Sequence, residues 1–305
     1  MLDMIEPELK NYIIKIYKNI GDIGSVKKVK EGYLSQNAIL QSNERKFFLK
    51  QYRTTFTVDS IKDIHRVGHF FSQNNIPIIL PLLTMENETY FIFSERIYSL
   101  FPFINAIKAD RENINNKTIE SLAKTLANIH LLSLNDPPIQ INARQRAINS
   151  TLFLKDSPKI LKTLNSIKEK SSFDKLALEL LSLKRSIIQK NIEKINSLKV
   201  KTNYLLHGDY HEKNVFLDTK GNVKHIFDLE KTELGDRLHE VIRSMDFICL
   251  NKGYDNIGIE KARIYIQAYN ELYPIEQKDF LDALEAYYFK KANSLWIEKT
   301  HYLER

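Results

Sequence analysis

The sequence predicts an α+β chain in two lobes, a small mixed-sheet N-lobe over residues 1–104 and a mainly helical C-lobe over residues 105–305. Three observations predict it. Short apolar runs of strand character flank one long helical stretch before residue 104. Apolar residues at helical spacing dominate after it. Glycine and proline, at 9 and 8 residues, are too sparse in 305 for a glycine-rich all-β fold. The composition shifts near residue 104 without a Gly/Ser linker, so the two lobes are expected to share an interface.

The elements follow in order. Residues 4–20 place Ile5, Leu9, Tyr12, Ile13, Ile16 and Tyr17 on one helical face. The stretch from Lys27 reads as three strands, the first ending at Glu31, then Ala38–Leu40, then Lys46–Tyr52, with turns at 32–36 and at Ser42-Asn43-Glu44. Thr57–Asn74 is helical, with Asp59 or Ser60 as N-cap and Ile61, Ile64, Val67, Gly68 and Phe71 on one face. Two strands, Leu80–Thr84 and Tyr90–Ser94, surround a Glu86-Asn87-Glu88 turn, and residues 97–104 run as a further strand into a connector at Pro102. Asn116–Leu132 is a helix, and 143–198 a long helical tract with few breakers beyond Pro158. Residues 203–228 return to strand, turn and strand, followed by helices over 238–251, 258–272 and 276–303. No internal repeat is present.

The composition excludes several classes. At 43% hydrophobic and 27% charged, with 15 Tyr and 16 Phe, the chain has a large core to bury and is not disordered. Cys249 is the sole cysteine, which excludes an intrachain disulfide and reads as a small core residue. The apolar run Ile76–Leu83 is broken by Pro77 and Pro81 and falls short of a membrane span, and residues 1–19 lack a signal-peptide core. A cytoplasmic protein is expected. The net charge of +7 comes from lysines and arginines spread along the chain, which reads as a solvated surface rather than a nucleic-acid footprint. Such a balance also suits a polyanionic ligand such as a nucleotide.

The chemical centre is Tyr204–Glu230, YLLHGDYHEKNVFLDTKGNVKHIFDLE. An apolar run leads into His207-Gly208-Asp209. Asn214 opens a short strand, a turn follows, and a second strand delivers Asp228. A carboxylate and an amide oxygen on opposite arms of a hairpin suit Mg²⁺, a hard cation that shares its shell with substrate phosphates. That makes Asn214 and Asp228 the metal candidates. Asp209, on the preceding loop, is the candidate to accept the proton of an acceptor hydroxyl. His207 packs beneath the loop and fixes its shape. The alternative for each residue alone is ordinary turn chemistry. The ordered set H-G-D-x-x-x-x-N followed by a strand-borne aspartate is the pattern of a phosphoryl-transfer site.

HGDYHEKNV and IFDLE resemble the aminoglycoside phosphotransferase and choline kinase-like superfamily of small-molecule kinases. They do not resemble eukaryotic protein kinases, which carry HRD and DFG. Phe47–Tyr52 (FFLKQY) is similar to that superfamily's strand with the phosphate-binding lysine, here Lys50. Leu122–His130 is similar to the helix ahead of the catalytic loop, and Glu233–Arg243 to the segment after the metal aspartate, with Glu240 at a commonly acidic position. The resemblance implies a bilobal protein kinase-like fold with ATP in the cleft, GTP being the competing donor, and Mg²⁺. It implies Asp209 as base, with Asn214 and Asp228 as metal ligands and Lys50 as phosphate clamp. It also implies a loop 32–37, with Gly32 and Ser35, over the phosphates; a plain hairpin turn is the competing reading of that loop. Phe101-Pro102-Phe103 becomes the connector, with Phe103 beside the base or, alternatively, in the core.

One departure stands out. The helix after Lys50 usually offers a glutamate to that lysine, but residues 59–71 contain Asp59, Asp63 and His65 and no glutamate. This feeds a second reading, a catalytically weak kinase-like binding or regulatory protein of the spore-coat type. Among other residues, His211 and Glu212 face either substrate or solvent, and Glu230 supports the loop or meets a cationic substrate. The histidines lack zinc-ligand spacing with cysteines. Tyr287, Tyr288, Phe289, Trp296 and Tyr302 either pack the final helix or cage an amine. The expected reaction is phosphoryl transfer to a hydroxyl of a small acceptor, an aminoglycoside, amino alcohol or sugar-like molecule.

Overall fold

A computed structural model of the chain describes residues 7–29, 37–43, 45–109, 114–135, 150–198, 203–250 and 255–304. The N-lobe elements are α1 (Pro7–Ile16), β1 (Ile23–Val29), β2 (Asn37–Ser42), β3 (Lys46–Gln51), α2 (Val58–Gln73), β4 (Phe91–Phe93) and β5 (Arg96–Pro102). Their sheet runs β1-β2-β3-β5-β4. Expected as mixed, it is antiparallel throughout, because hairpins join β1 to β2, β2 to β3 and β4 to β5. The expected end of the first strand at Glu31, together with Gly32 and Ser35, lies outside the described residues.

Strand alternation decides what each face carries. On β3, Phe47 and Leu49 turn toward α1 and pack with Leu9, Ile13, Leu40 and Leu100. Phe48 and Lys50 therefore turn the other way, where Phe48 meets the Phe227 ring edge-on at 5.3 Å. The register that pairs Lys50 with Ser99 puts the lysine at the sheet's centre, and it is buried.

Helix α2 begins on a capping box between Thr57 and Ser60, so Thr57, rather than Asp59 or Ser60, is its N-cap. Its buried face is Ile61, His65, Val67, Gly68 and Phe71. The strand expected at Leu80–Thr84 does not form. Pro77 and Pro81 have no N–H to give a ladder, and the segment joins the lobes instead. Ile79 N–H donates to Ile226 O at 2.9 Å, Ile226 N–H to Pro77 O at 2.8 Å, and Leu82 N–H to Leu100 O at 2.7 Å.

The C-lobe continues with β6 (Ile107–Lys108), α3 (Asn116–Leu131), α4 (Thr151–Ser166), α5 (Ser172–Lys190), α6 (Ile192–Ser197), β7 (Tyr204–Leu206), β8 (Val215–Leu217), β9 (Val223–Ile226) and β10 (Glu233–Gly235). Four helices end the chain: α7 (Arg237–Cys249), α8 (Asn256–Leu272), α9 (Gln277–Asn293) and α10 (Trp296–Tyr302). Helix α3 is the axis of the main core, burying Ile119, Leu122, Ala123, Leu126 and Ile129 against α7 and α8. The long tract expected over 143–198 is three helices from residue 151 on, its first residues, 143–149, lying outside the described ones. A second capping box, Ser171 with Asp174, starts α5, and Asn191 caps its end. These helices form a separate core with α9 through Phe153, Leu164, Leu181, Ile188 and Phe289. The helix expected over 276–303 breaks at Ser294, whose freed carbonyl accepts from Lys184 Nζ at 2.8 Å while Leu295 turns inward.

The aromatic residues of these last helices do not share a face. Tyr287 and Phe289 are buried, Tyr288 and Trp296 are exposed, and Tyr302 donates to Asp174. Cys249 is buried as expected, which pushes its thiol pKa up to about 12. Among the described residues no helix is long and apolar enough to cross a membrane.

Candidate active site

Strand β7 buries Leu205 and Leu206 and then releases the chain into His207-Gly208-Asp209. Gly208 adopts φ +83°, and a Cβ there would fall 1.8 Å from Lys231 O, so no other residue fits. Burial lowers the pKa of His207 against the pull of nearby Glu240 and Asp209. Its ring accepts from Asp209 N–H at Nδ1 (3.2 Å) and donates from Nε2 to Phe227 O (3.1 Å). Those partners fix the tautomer. One imidazole thus ties the backbone of Asp209 to the residue before Asp228.

Glu240 on α7 holds the same loop from below. Its carboxylate accepts His207 N–H at 3.1 Å and Gly208 N–H at 2.5 Å, and meets His130 Nε2 at 3.0 Å. His130 reaches Tyr269 OH at 2.8 Å. Burial raises the Glu240 pKa, but the contact with His130 outweighs it and the group stays ionised. The sequence marked this position only as commonly acidic.

Asn214 Nδ2 donates to Asp209 O at 3.0 Å, which leaves its amide oxygen as an acceptor. The backbones of the two hairpin arms meet where Phe227 N–H donates to Asn214 O at 2.9 Å. Asp228 follows in the left-handed region, φ +69°, a strained setting for a residue with a side chain. Lys50 Nζ crosses from β3 to Asp228 Oδ1 at 2.8 Å and to Glu230 Oε1 at 2.9 Å. Burial works against charge on Lys50, yet Asp228 and Glu230 raise its pKa overall. For Asp228, likewise, burial raises and Lys50 lowers, with a net lowering.

Neither Asp63 nor His65 pairs with Lys50. Asp63 is engaged by Arg66 on the surface. His65 is buried between Tyr52 OH (2.9 Å) and Thr89 Oγ1 (2.7 Å). Glu230 takes the partnership, and Arg53 approaches its other oxygen at 3.4 Å. A cavity of about 20 Å³, lined by Ile64, His65, Gly68 and Phe101, lies behind Lys50 on the side that α2 faces.

Burial pushes the pKa of His65 from 6.5 down to about 3, helped by the charge of Lys50. The unfolded chain takes up a proton below pH 6.5 that the folded chain refuses. Stability from this group is therefore complete above pH 6.5 and is lost as pH falls toward 3, at about 1.4 kcal/mol per pH unit. We expect His65→Gln to flatten the plot of unfolding free energy against pH by roughly that slope between pH 6 and 4.5. Denaturant melts across that range check it, and an unchanged slope would refute the assignment.

Asp209 carries two cations. Arg243 Nη2 donates to Oδ1 at 2.5 Å and Lys231 Nζ to Oδ2 at 2.8 Å, with His211 Nε2 at 3.7 Å. Burial raises its pKa, but His211, Arg243 and Lys231 together hold it well below the carboxylate range. His211 is stacked on Phe247, with ring centroids 5.7 Å apart, and Glu212 is buried. Sequence reasoning missed Arg243 and Lys231. A signal for Arg243 was its place three residues after Glu240, on the helix face that meets the loop. Phe103 lies half-buried at the end of β5 with Lys46 Nζ 5.8 Å above its ring, whereas Phe101 is in the core against Phe227.

Among the described residues no three His, Cys, Asp or Glu side chains converge on a metal position. Two oxygen donors, Asn214 and Asp228, fit Mg²⁺, which completes its shell with water and substrate phosphates rather than in an all-protein cage.

The fold matches solved structures along nearly its whole length. Spectinomycin phosphotransferase APH(9)-Ia, in complex with ADP and spectinomycin, is 17% identical with a TM-score of 0.67, over 99% of this chain and 89% of that one. An aminoglycoside phosphotransferase from Alicyclobacillus acidocaldarius is 13% identical with a TM-score of 0.69, covering 98% and 87%. An amicoumacin kinase in complex with AMP-PNP and Ca²⁺ is 12% identical with a TM-score of 0.68, covering 99% and 88%. These likenesses establish the bilobal kinase-like fold. No curated protein matches the sequence. The sequence profile of the phosphotransferase enzyme family matches residues 25–277, a span that takes in Lys50, the His207–Asn214 loop, Asp228 and Glu240, and the chain belongs to that family of small-molecule phosphotransferases.

Proposed function

We propose that the chain transfers the γ-phosphoryl group of ATP to a hydroxyl of a small molecule, in the cytoplasm, with Mg²⁺ held by Asn214 and Asp228. One observation carries this reading. Asp209, His207 and the Phe227-Asp228 backbone form a single hydrogen-bonded chain that ends on the buried ammonium of Lys50. Base, metal carboxylate and phosphate cation are thereby held in fixed relation, which is what phosphoryl transfer asks of a protein.

Asp209, ionised, takes the proton of the acceptor hydroxyl as its oxygen bonds to phosphorus. The bond from the γ-phosphorus to the bridging oxygen breaks, and ADP leaves with the electron pair. Lys50 trades a carboxylate oxygen for the α/β-phosphates. Mg²⁺, when bound, neutralises the phosphate charge. We assign Phe103 to the side of the base, and Gly32 and Ser35 to the phosphate cover. The reading of a catalytically weak relative rested on the missing helix glutamate, and Glu230 brings a carboxylate to Lys50 from another segment.

Titration of ATP, with GTP as comparison, tests this. Affinity in Mg²⁺ is expected to fall at least tenfold, about 1.4 kcal/mol, in EDTA and in Asp228→Asn. Equal affinity in all three conditions would overturn the metal assignment.

A further inference from the structure

The cationic surroundings of Asp209 point to an acceptor of a definite charge. Two full positive charges, Arg243 and Lys231, sit on one carboxylate, and each takes one of its oxygens. The guanidinium of Arg243 lies 4.7 Å over the Phe247 ring, and its Nη1 is buried with no hydrogen-bond partner among the described residues. A buried guanidinium N–H of this kind wants an oxygen acceptor. The next acidic side chain along the exposed face of α7, Asp246, is already engaged by Tyr287 OH at 2.7 Å and Lys291 Nζ at 2.8 Å. Among the described residues of α7, the surroundings of Asp246 and the Arg243 site are cationic, and the loop carboxylate Glu212 is buried beside His211. The amine-bearing acceptors expected from the sequence would meet two cations there.

We infer that the acceptor carries an oxyanion, a carboxylate or a phosphate, close to its reacting hydroxyl, and that Arg243 and Lys231 bind it. This rests on the phosphotransferase reading of Asp209. Each oxygen of Asp209 keeps a second lone pair, but a full positive charge on Oδ2 lowers its basicity toward a hydroxyl proton, so loss of one cation makes it the better base. Lys231 is the group able to leave, since its side chain is 49% exposed and flexible, whereas Arg243 is 21% exposed and stacked. An oxyanion draws Lys231 off Oδ2 and pairs with the guanidinium of Arg243, whose buried Nη1 it reaches only once Lys231 has moved. The acceptor thus uncovers the base that will deprotonate it. A neutral or cationic acceptor leaves Lys231 where it is.

Four probes on one three-carbon skeleton test this: glycerate, glycerol 3-phosphate, glycerol and 3-amino-1,2-propanediol. Calorimetric titration into the protein with Mg·ADP, and ADP release with Mg·ATP, are read for each. The expected result is that at least one anionic probe binds tenfold or more tightly than glycerol and is phosphorylated, with the amine weakest. The carboxylate and phosphate arms separate the two sources of the oxyanion. Lys231→Met is expected to raise KM for the preferred anion tenfold or more and to improve the amine, which no longer meets a cation at Asp209 Oδ2. Arg243→Gln is expected to abolish the preference. Preference for the amine, equal binding of all four, or no binding of either anion overturns the inference. Titration of Mg·ATP alone separates the two claims: if ATP binds and the anions fail, only the acceptor class is wrong, and if ATP also fails, the proposed function falls with it.

Discussion

Asp209→Asn is expected to lower turnover by about a hundredfold to ten-thousandfold while ATP affinity stays within about threefold, the scale of a positioned general base. The amide keeps the shape and keeps an oxygen for Arg243, but it cannot take a proton at neutral pH. The wild-type carboxylate stays ionised far into acid because His211, Arg243 and Lys231 overcome the effect of its burial. Activity should therefore show no acid limb from Asp209 itself above pH 5. ADP release against pH for both proteins checks the two statements together. Turnover in the variant within tenfold of wild type, with ATP bound normally, would mean that Asp209 positions the acceptor rather than deprotonating it. A melt of the same variant guards against misreading, since it leaves two cations beside a neutral group.

The largest loss of stability is expected from Glu240→Leu. The carboxylate is fully enclosed and takes the backbone N–H groups of His207 and Gly208 as well as the ring of His130. Leucine nearly fills the volume and strands all three donors. Loss of a buried charged acceptor of this kind costs about 3–5 kcal/mol, which lowers the melting temperature by roughly 10 °C in a chain of this size. Glu240→Gln should fall between, because its amide offers one acceptor oxygen and one donor that faces another donor. Calorimetric melts of the three proteins check the order. A loss under about 1 kcal/mol for the leucine variant would show that the loop holds its shape without this carboxylate.

The parts of the fold legible in the sequence are those that local chemistry fixes. The strand over Lys46–Tyr52 was legible as a strand, with Lys50 picked out by the resemblance of FFLKQY, and the apolar run Tyr204–Leu206 marked the entry to the loop. The HGD motif announced a loop, and the structure adds that only glycine fits its middle position. The strand expected at Leu80–Thr84 failed because an apolar run says only that a segment is buried, while its two prolines decide that it cannot join a ladder. The helix breaks at Ser171 and Asn191 are set by single side-chain caps inside a tract of uniform composition, too weak a signal against the surrounding Leu and Ile. The ion pairs were the least legible. Arg243 lies far along the chain from Asp209, and Glu230 from Lys50. No periodicity links charges that meet only after the sheet and hairpin have packed. Glu230 was marked as a support for the loop, and its actual partner is the lysine of another lobe.

The partnership of Lys50 with Glu230 bears on how such an enzyme is controlled. Where the carboxylate for that lysine sits on the mobile helix of the small lobe, swinging the helix in and out makes and breaks the pair, and cells use that motion as an on–off control. Here both carboxylates of Lys50 belong to one short segment behind β9, anchored by His207 and the hairpin. Helix α2 is released from catalytic duty and serves only as packing. Its outward displacement would leave both ion pairs of Lys50 in place, so a regulator that acts on this helix finds no ion pair there to break. Selection on α2 is then for the shape of its packing face, and the step left to gate the site is the release of Asp209 by Lys231, which answers to the acceptor and not to a helix.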